Sequence, residues 1–286
     1  MAISPDMERA HILVAGCGKL GGRIASALTD SARVFGLRRN ADKVPAGVTG
    51  IGADLYQPST LFGQLPPHLD AVVYCLTPSS YDEQGYRNAY VDGLANLLDV
   101  LKGHSLKRLF FISSTSVYAQ DDDSWVDESS PTEPDRYSGQ HILAGEQLAL
   151  GSGHPATIIR YSGIYGPGRL RFVEEVKAGR LAPVAPAPFS NRIHEEDAVA
   201  AAVHLTHRAL TGAALDSCYI VSDCEPVRLD EVVAWVRQQT PCAEALPDAR
   251  RGGRAGSKRC SNQRLLASGF DFRYPDFRSG YAPLIG

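Results

Sequence analysis

Apolar residues recur along the first half of the chain in two alternating rhythms. His11–Ala15 is a short apolar run that ends in glycines, as a strand buried on both faces does. Lys19–Leu28 then carries apolar positions at helical spacing, and Arg33–Leu37 predicts a second strand. Asp70–Leu76, rich in Val and Tyr, predicts another strand. Across Asp82–Leu101, the residues Tyr86, Tyr90, Leu94, Leu97, Leu98 and Leu101 mark one face of a helix. Lys107–Ser113 reads as a strand, Ile142–Leu150 as a helix and Ala156–Tyr161 as the next strand. Strands and helices alternating at these lengths predict an α/β fold, a doubly wound parallel sheet covered on both faces.

The second half is less regular. Pro183, Pro186 and Pro188 crowd Leu181–Phe189, which excludes a central strand or a helix and predicts a loop. Glu195–Leu210 reads as a helix, Cys218–Val221 as a strand and Leu229–Gln239 as a helix. Gly252–Gly256 reads as a flexible turn and Ser261–Ala267 as a short helix before an irregular aromatic tail. The expected division is a main domain over residues 1–165 and a smaller C-terminal substrate lobe over 166–286. Helix 195–210 is free in this reading to pack back on the main domain.

Composition narrows the function classes. Of 286 residues, 44% are hydrophobic and 21% charged, as in ordinary globular proteins. A net charge of −3 gives no electrostatic reason to expect nucleic acid or an anionic membrane as partner. The local cluster Arg250, Arg251, Arg254, Lys258 and Arg259 reads as a solvated, Gly-rich loop. No apolar run reaches bilayer length, and the first ten residues lack the basic-then-apolar order of a secretory signal. The six cysteines are scattered without a Cys-x-x-Cys pair. That argues against a zinc site or a disulfide scaffold and fits a reducing cytoplasm. The expected partner is a small-molecule substrate, and association into a homodimer stays open.

Candidate chemistry begins at Gly16-Cys17-Gly18-Lys19-Leu20-Gly21, between a predicted strand and a predicted helix. In that context the first glycine permits a tight turn, the second lets the backbone approach a pyrophosphate, and the third lets helix and strand pack closely. The helix N-terminus then offers unpaired N–H groups to phosphates. After the second strand, where a site for NAD(H) usually carries an acidic residue, stand Arg38 and Arg39. Two guanidinium groups suit a 2′-phosphate, so NADP(H) is favoured over NAD(H).

Further segments carry a family resemblance. Phe110-Phe111-Ile112-Ser113-Ser114-Thr115-Ser116-Val117-Tyr118 resembles the ISS-x-x-VYG segment of the extended short-chain dehydrogenases/reductases, the NAD(P)-dependent epimerase/dehydratase group. Arg160-Tyr161-Ser162-Gly163-Ile164-Tyr165-Gly166-Pro167-Gly168 resembles its R-P-x-x-x-YGPG segment. Asn191-Arg192-Ile193-His194-Glu195-Glu196-Asp197 resembles its R-x-I-H-V-x-D segment. Asp54-Leu55 matches the acidic position after the third strand, near the adenine. The resemblance implies a Rossmann-type sheet, an NAD(P)-binding domain over 1–165, and a small polar or sugar-nucleotide-like substrate. It also brings Cys75 and Leu76, at a strand end, to the cofactor, with Cys17 and Cys75 read as small packing residues.

The catalytic positions depart from the family. That group uses a Ser/Thr, a Tyr, a Lys four residues later and an upstream Asn. Ser114 matches the first, and Tyr137 is the nearby phenol, but His141 stands at the lysine position. Aligning instead on Glu146 puts Ser138 and Ile142 in the dyad positions, so neither register restores a Tyr–Lys pair. Tyr90, in Tyr90-Val91-Asp92-Gly93, replaces the Asn. Tyr137 and His141 are therefore either a catalytic pair or plain residues at the start of a helix. Thr115, Tyr165, Arg169 and His194 are candidate substrate contacts, with Arg171 beside them. A surface role for the arginines and a paired structural role for His194 stay open. Two functions follow: an atypical NADP(H)-dependent oxidoreductase or epimerase/dehydratase-like enzyme, or a non-catalytic NADP(H)-binding sensor or scaffold.

Overall fold

The computed structural model describes residues 9–249 and 256–285. Seven strands form one sheet: β1 (Ala10–Ala15), β2 (Ala32–Arg38), β3 (Thr49–Gly52), β4 (Ala71–Tyr74), β5 (Arg108–Ser114), β6 (Ala156–Tyr161) and β7 (Cys218–Val221). Their order is β7-β6-β5-β4-β1-β2-β3. Order reverses beside β1, which pairs in parallel with both β2 and β4. In open sheets of this kind ligands bind at that switch point, beyond the strand C-termini. Ile12, Leu13, Val14 and Ala15 are all fully buried although successive side chains point to opposite faces. Both faces of the sheet are therefore covered, as the doubly wound reading requires.

The helices are α1 (Lys19–Leu28), α2 (Glu83–Arg87), α3 (Gly93–Val100), α4 (Tyr137–Leu150), α5 (Arg171–Lys177), α6 (Glu195–Leu210), α7 (Leu229–Gln239), α8 (Gln263–Ala267) and α9 (Phe277–Ile285). A π-turn over Asn88–Asp92 joins α2 to α3. Several elements differ from the sequence reading: α5 has no counterpart in it, and the helix expected over Asp82–Leu101 is broken by the π-turn. Helix α4 begins at Tyr137, not Ile142. The aromatic tail contains α9, whose Phe277, Tyr281 and Ile285 share one buried face at i, i+4 and i+8. Most of the turn expected at Gly252–Gly256, and most of the basic cluster near it, lies outside the described residues.

Contacts divide the chain into two compact units. One comprises the chain as far as Val117, Pro134–Arg160 and Val199–Tyr219; the other Tyr118–Glu133, Tyr161–Ala198 and the chain from Ile220. The first buries Leu13, Phe35, Leu37, Val72, Tyr74, Leu94, Leu97 and Phe111 in one core. The second has its own core, built on Tyr165, Val173, Val176, Val232, Val236, Phe277 and Tyr281.

Candidate active site

The turn after β1 is held from both sides. Gly16 adopts φ +92°, a left-handed conformation that favours glycine. The amides of Gly16 and Cys17 both donate to the Leu37 carbonyl, at 3.1 and 3.0 Å, which pins the turn to the end of β2. A Cβ on Gly16 would drive into the Cys75 carbonyl, and one on Gly21 into the Gly16 carbonyl. Gly18 is different: a Cβ there would meet nothing within 4 Å. Two of the three glycines thus serve the fold and the third keeps space open. Gly18 is also the N-cap of α1, and no side chain caps the helix. The first-turn amides of Lys19, Leu20 and Gly21 lie at that opening, where a helix N-terminus favours an anion. This open, uncapped cradle fits the pyrophosphate of a dinucleotide.

Around the cradle, Cys17 and Cys75 are buried, and burial pushes the Cys17 thiol up against the opposing charge of Arg38. The Cys75 amide donates to the Ala15 carbonyl at 2.8 Å, so it continues the β1–β4 ladder, and Leu76 beyond it is half-buried. Arg38 folds back on the backbone: its Nη1 donates to the carbonyls of Cys17 (3.2 Å) and Lys43 (2.7 Å). Arg39 is exposed. Asp54 builds the turn after β3, its Oδ1 accepting the Tyr56 amide at 3.0 Å and its own amide donating to Thr60 Oγ1 at 2.9 Å. Leu55 is buried, and its carbonyl accepts from Asn96 Nδ2 at 2.8 Å.

Ser114 ends β5. Its Oγ accepts the Ser116 amide at 3.2 Å, which leaves its hydroxyl proton free to donate. Thr115 follows in a half-buried 3₁₀ turn. The first turn of α4 lies directly on this segment, because a Cβ at Gly139 would stand 2.8 Å from the Ser116 carbonyl. Tyr137 is 39% exposed, and its phenol donates to the Tyr81 carbonyl at 3.0 Å. Its ring meets Tyr86 edge-on at 5.7 Å. One helical turn on, His141 Nε2 lies 3.7 Å from Glu83 Oε1. The segments carrying Ser114 and Tyr137 are thus brought side by side, with the Tyr137 hydroxyl engaged.

Helix α4 is located by a buried ion pair that sequence reasoning missed. Arg160 Nε and Nη2 donate to Glu146 at 2.9 and 2.6 Å, and Ser113 Oγ donates to the same carboxylate. The hint was Glu146 itself, an acid on the inner face of a helix. Tyr90 sits in the π-turn, where Gly145 of α4 packs against its carbonyl. The Tyr74 hydroxyl donates to the neighbouring Ala89 carbonyl at 2.6 Å.

The remaining candidates lie in the second unit. Tyr165 is buried against Tyr281, with ring centres 4.3 Å apart, and burial pushes its phenol up. His194 is buried too, its Nδ1 accepting the Glu196 amide at 3.3 Å and its ring 3.9 Å from that of Tyr274. Arg169 is exposed, and Arg171 pairs with Glu175 at 3.0 Å along α5. None of the described residues forms a group able to hold a metal ion, and no described helix is long and apolar enough to cross a membrane.

A solved structure from Methylobacillus flagellatus, described as an NAD-dependent epimerase/dehydratase, superposes with a TM-score of 0.83 at 38% identity, covering 97% of this chain and 98% of that one. Protein YeeZ of Escherichia coli is 27% identical over 274 residues, 93% of this chain and 96% of its own length. UDP-glucose 4-epimerase of Streptomyces lividans is 25% identical over 183 residues, 57% of this chain and 54% of that protein. The family model for NAD-dependent epimerases/dehydratases matches residues 12–206. The chain belongs to the NAD-dependent epimerase/dehydratase family.

Proposed function

We propose that the chain is an NADP(H)-dependent oxidoreductase or epimerase/dehydratase-type enzyme acting on a small polar or sugar-nucleotide-like substrate. The observation that carries this reading is the uncapped α1 N-terminus at Gly18, open where a side chain would stand. Arg38 ends β2 with Arg39 next, and Ser114 ends β5, on the same C-terminal edge of the parallel sheet. Bound there, a nicotinamide cofactor supplies hydride exchange with a substrate carbon. Arg39, exposed, and Arg38 would hold the 2′-phosphate, while Arg38 Nη1 braces the turn.

Ser114 donates its hydroxyl proton to the reacting substrate oxygen. Tyr137 is the proton donor: its phenol leaves the Tyr81 carbonyl for that oxygen, and His141, one turn along and beside Glu83, supports the transfer. The similarity to the Streptomyces lividans epimerase supports a sugar-nucleotide-like substrate. Six free cysteines support a cytoplasmic setting.

Calorimetry of NADP⁺ against NAD⁺ tests the cofactor. We expect at least roughly tenfold preference for NADP⁺, lost in Arg39→Ala and reduced in Arg38→Ala; equal affinities in wild type overturn it. NADPH oxidation over a panel of carbonyl compounds and sugar nucleotides tests the chemistry, with Tyr137→Phe and Ser114→Ala lowering kcat by about 10²–10⁴-fold. A second reading, an NADP(H) sensor or scaffold, draws on the engaged Tyr137 hydroxyl and the absent lysine. It gains if cofactor binds and the whole panel is silent.

A further inference from the structure

The far edge of the sheet carries a cavity, of about 920 Å³, at the starts of the strands. It is bounded by the beginnings of β1 and β2, the residues just before β4 and β5, and the last turn of α6. The length of β1, about 17–20 Å, separates it from the glycine turn. Its walls bear the permanent cations Arg9, Arg33 and Lys107 and the imidazoles of His11, His68 and His207, against a single carboxylate, Asp70.

That carboxylate is already engaged. Asp70 accepts the His11 amide at 2.9 Å and lies 3.3 Å from His68 Nε2 and 3.2 Å from Lys107 Nζ. Burial pushes its carboxyl up, but the His11 amide, Lys107 and His68 together outweigh this and hold it below the ordinary range. The last carbonyls of α6 are also occupied, those of His207 and Arg208 accepting Thr211 Oγ1. His207 Nε2 is bonded to Ser31 Oγ at 2.8 Å. Arg33 lies over the Phe35 ring at 5.5 Å. Both Arg33 and Arg9 are exposed, and neither pairs with a carboxylate among the described residues.

A cavity of this size suits a small molecule. Two guanidinium groups that no carboxylate engages among the described residues suit phosphoryl oxygens. A nucleic acid would need a longer row of cations than this chain, with its net charge of −3, presents here. We propose that this cavity binds a small soluble phosphorylated ligand, at a site separate from the cofactor turn, with Arg9 and Arg33 holding the phosphate.

Titration of inorganic pyrophosphate into the full chain saturated with NADP⁺ tests this, alongside the Gly18→Ala and Arg9→Ser/Arg33→Ser proteins. One pyrophosphate site is expected in the NADP⁺-saturated wild type and in Gly18→Ala. Affinity should fall at least tenfold in the double variant, whose substitutions are both exposed and leave NADP⁺ binding unchanged. Loss of pyrophosphate binding on adding NADP⁺ or in Gly18→Ala overturns the proposal, as does full binding in the double variant or none in wild type. Arginine-dependent retention on heparin at physiological salt assigns the patch to a polyanion and overturns it too. The cofactor reading fails independently, by loss of NADP⁺ binding in wild type.

Discussion

Each unit of this chain buries an arginine beside a carboxylate, and the two pairs are built in opposite ways. In the first unit Arg160 meets Glu146 through two hydrogen bonds, and Ser113 takes up a further lone pair of the same carboxylate. In the second unit Arg192 and Asp223 are equally buried, at 4% and 1% exposure. There, among the described residues, neither Asp223 oxygen makes a well-formed hydrogen bond, and Arg192 Nη1 has none. Arg192 spends Nη2 on Ser190 Oγ at 2.7 Å and lies over the Phe277 ring at 5.5 Å. A satisfied pair fixes geometry, because any shift of its elements costs hydrogen bonds. An unsatisfied one leaves charge to be neutralised by protons. The first stands behind Ser114 and α4, where the candidate chemistry needs fixed positions. The second makes its unit sensitive to pH.

The largest expected effect comes from breaking the satisfied pair. Arg160→Met leaves the Glu146 carboxylate buried with only the Ser113 hydroxyl bonded to it, and should cost about 3–5 kcal/mol in denaturant unfolding. Because Glu146 draws α4 onto β5 and β6, turnover should fall further than the unfolded fraction explains, while NADP⁺ affinity stays near wild type. The contrast between the pairs breaks if Arg160→Met and Asp223→Asn shift the unfolding midpoint alike.

The second effect has the opposite sign. Burial raises the Asp223 carboxyl to about 8, against the opposing charge of Arg192 and the Glu225 amide. The same carboxyl in the unfolded chain titrates near about 3.9. Between those values the native state holds a proton that the unfolded state has released, so stability falls as pH rises from 4 to 8 and levels off above. The loss between pH 5 and pH 8 should be on the order of 3 kcal/mol, and Asp223→Asn should remove most of it. Unfolding midpoints at the two pH values check this; an unchanged slope in the variant would assign the pH dependence elsewhere.

How far the sequence foretold these features depends on whether the cause is local. The glycine turn was legible because strand, turn and helix follow one another in the chain, and the resulting sheet needed only alternation and strand length. The start of α4 was not, because Ser138 and Gly139 are poor helix formers. Gly139 is there so that α4 can approach the Ser116 carbonyl, a contact between segments far apart in sequence. In α9, Gly280 and Pro283 hid a helix in the same way; a side chain at Gly280 would strike the Tyr165 hydroxyl. Arg38 was recognisable as a cation at the end of β2, but its targets are main-chain carbonyls, which no residue type announces. The basic cavity gathers residues from position 9 to position 207, each unremarkable in its own stretch of sequence.

The smallest effect probes how the second unit tolerates its unpaired groups. The Tyr165 hydroxyl is buried and has no hydrogen-bond partner among the described residues, and it lies near enough to Asp223 for that charge to raise its own phenol. Removing an unpaired buried hydroxyl recovers desolvation energy without losing a bond, so Tyr165→Phe should be neutral or stabilising by up to about 1 kcal/mol. The ring contacts with Tyr281 and His194 are retained in the variant. Comparison with Ser113→Ala sharpens the point, since that change removes a hydroxyl that is bonded to Glu146 and should destabilise by about 1–2 kcal/mol. If instead Tyr165→Phe destabilises as much as Ser113→Ala, the Tyr165 hydroxyl has a partner in solution. The second cluster would then be as well satisfied as the first.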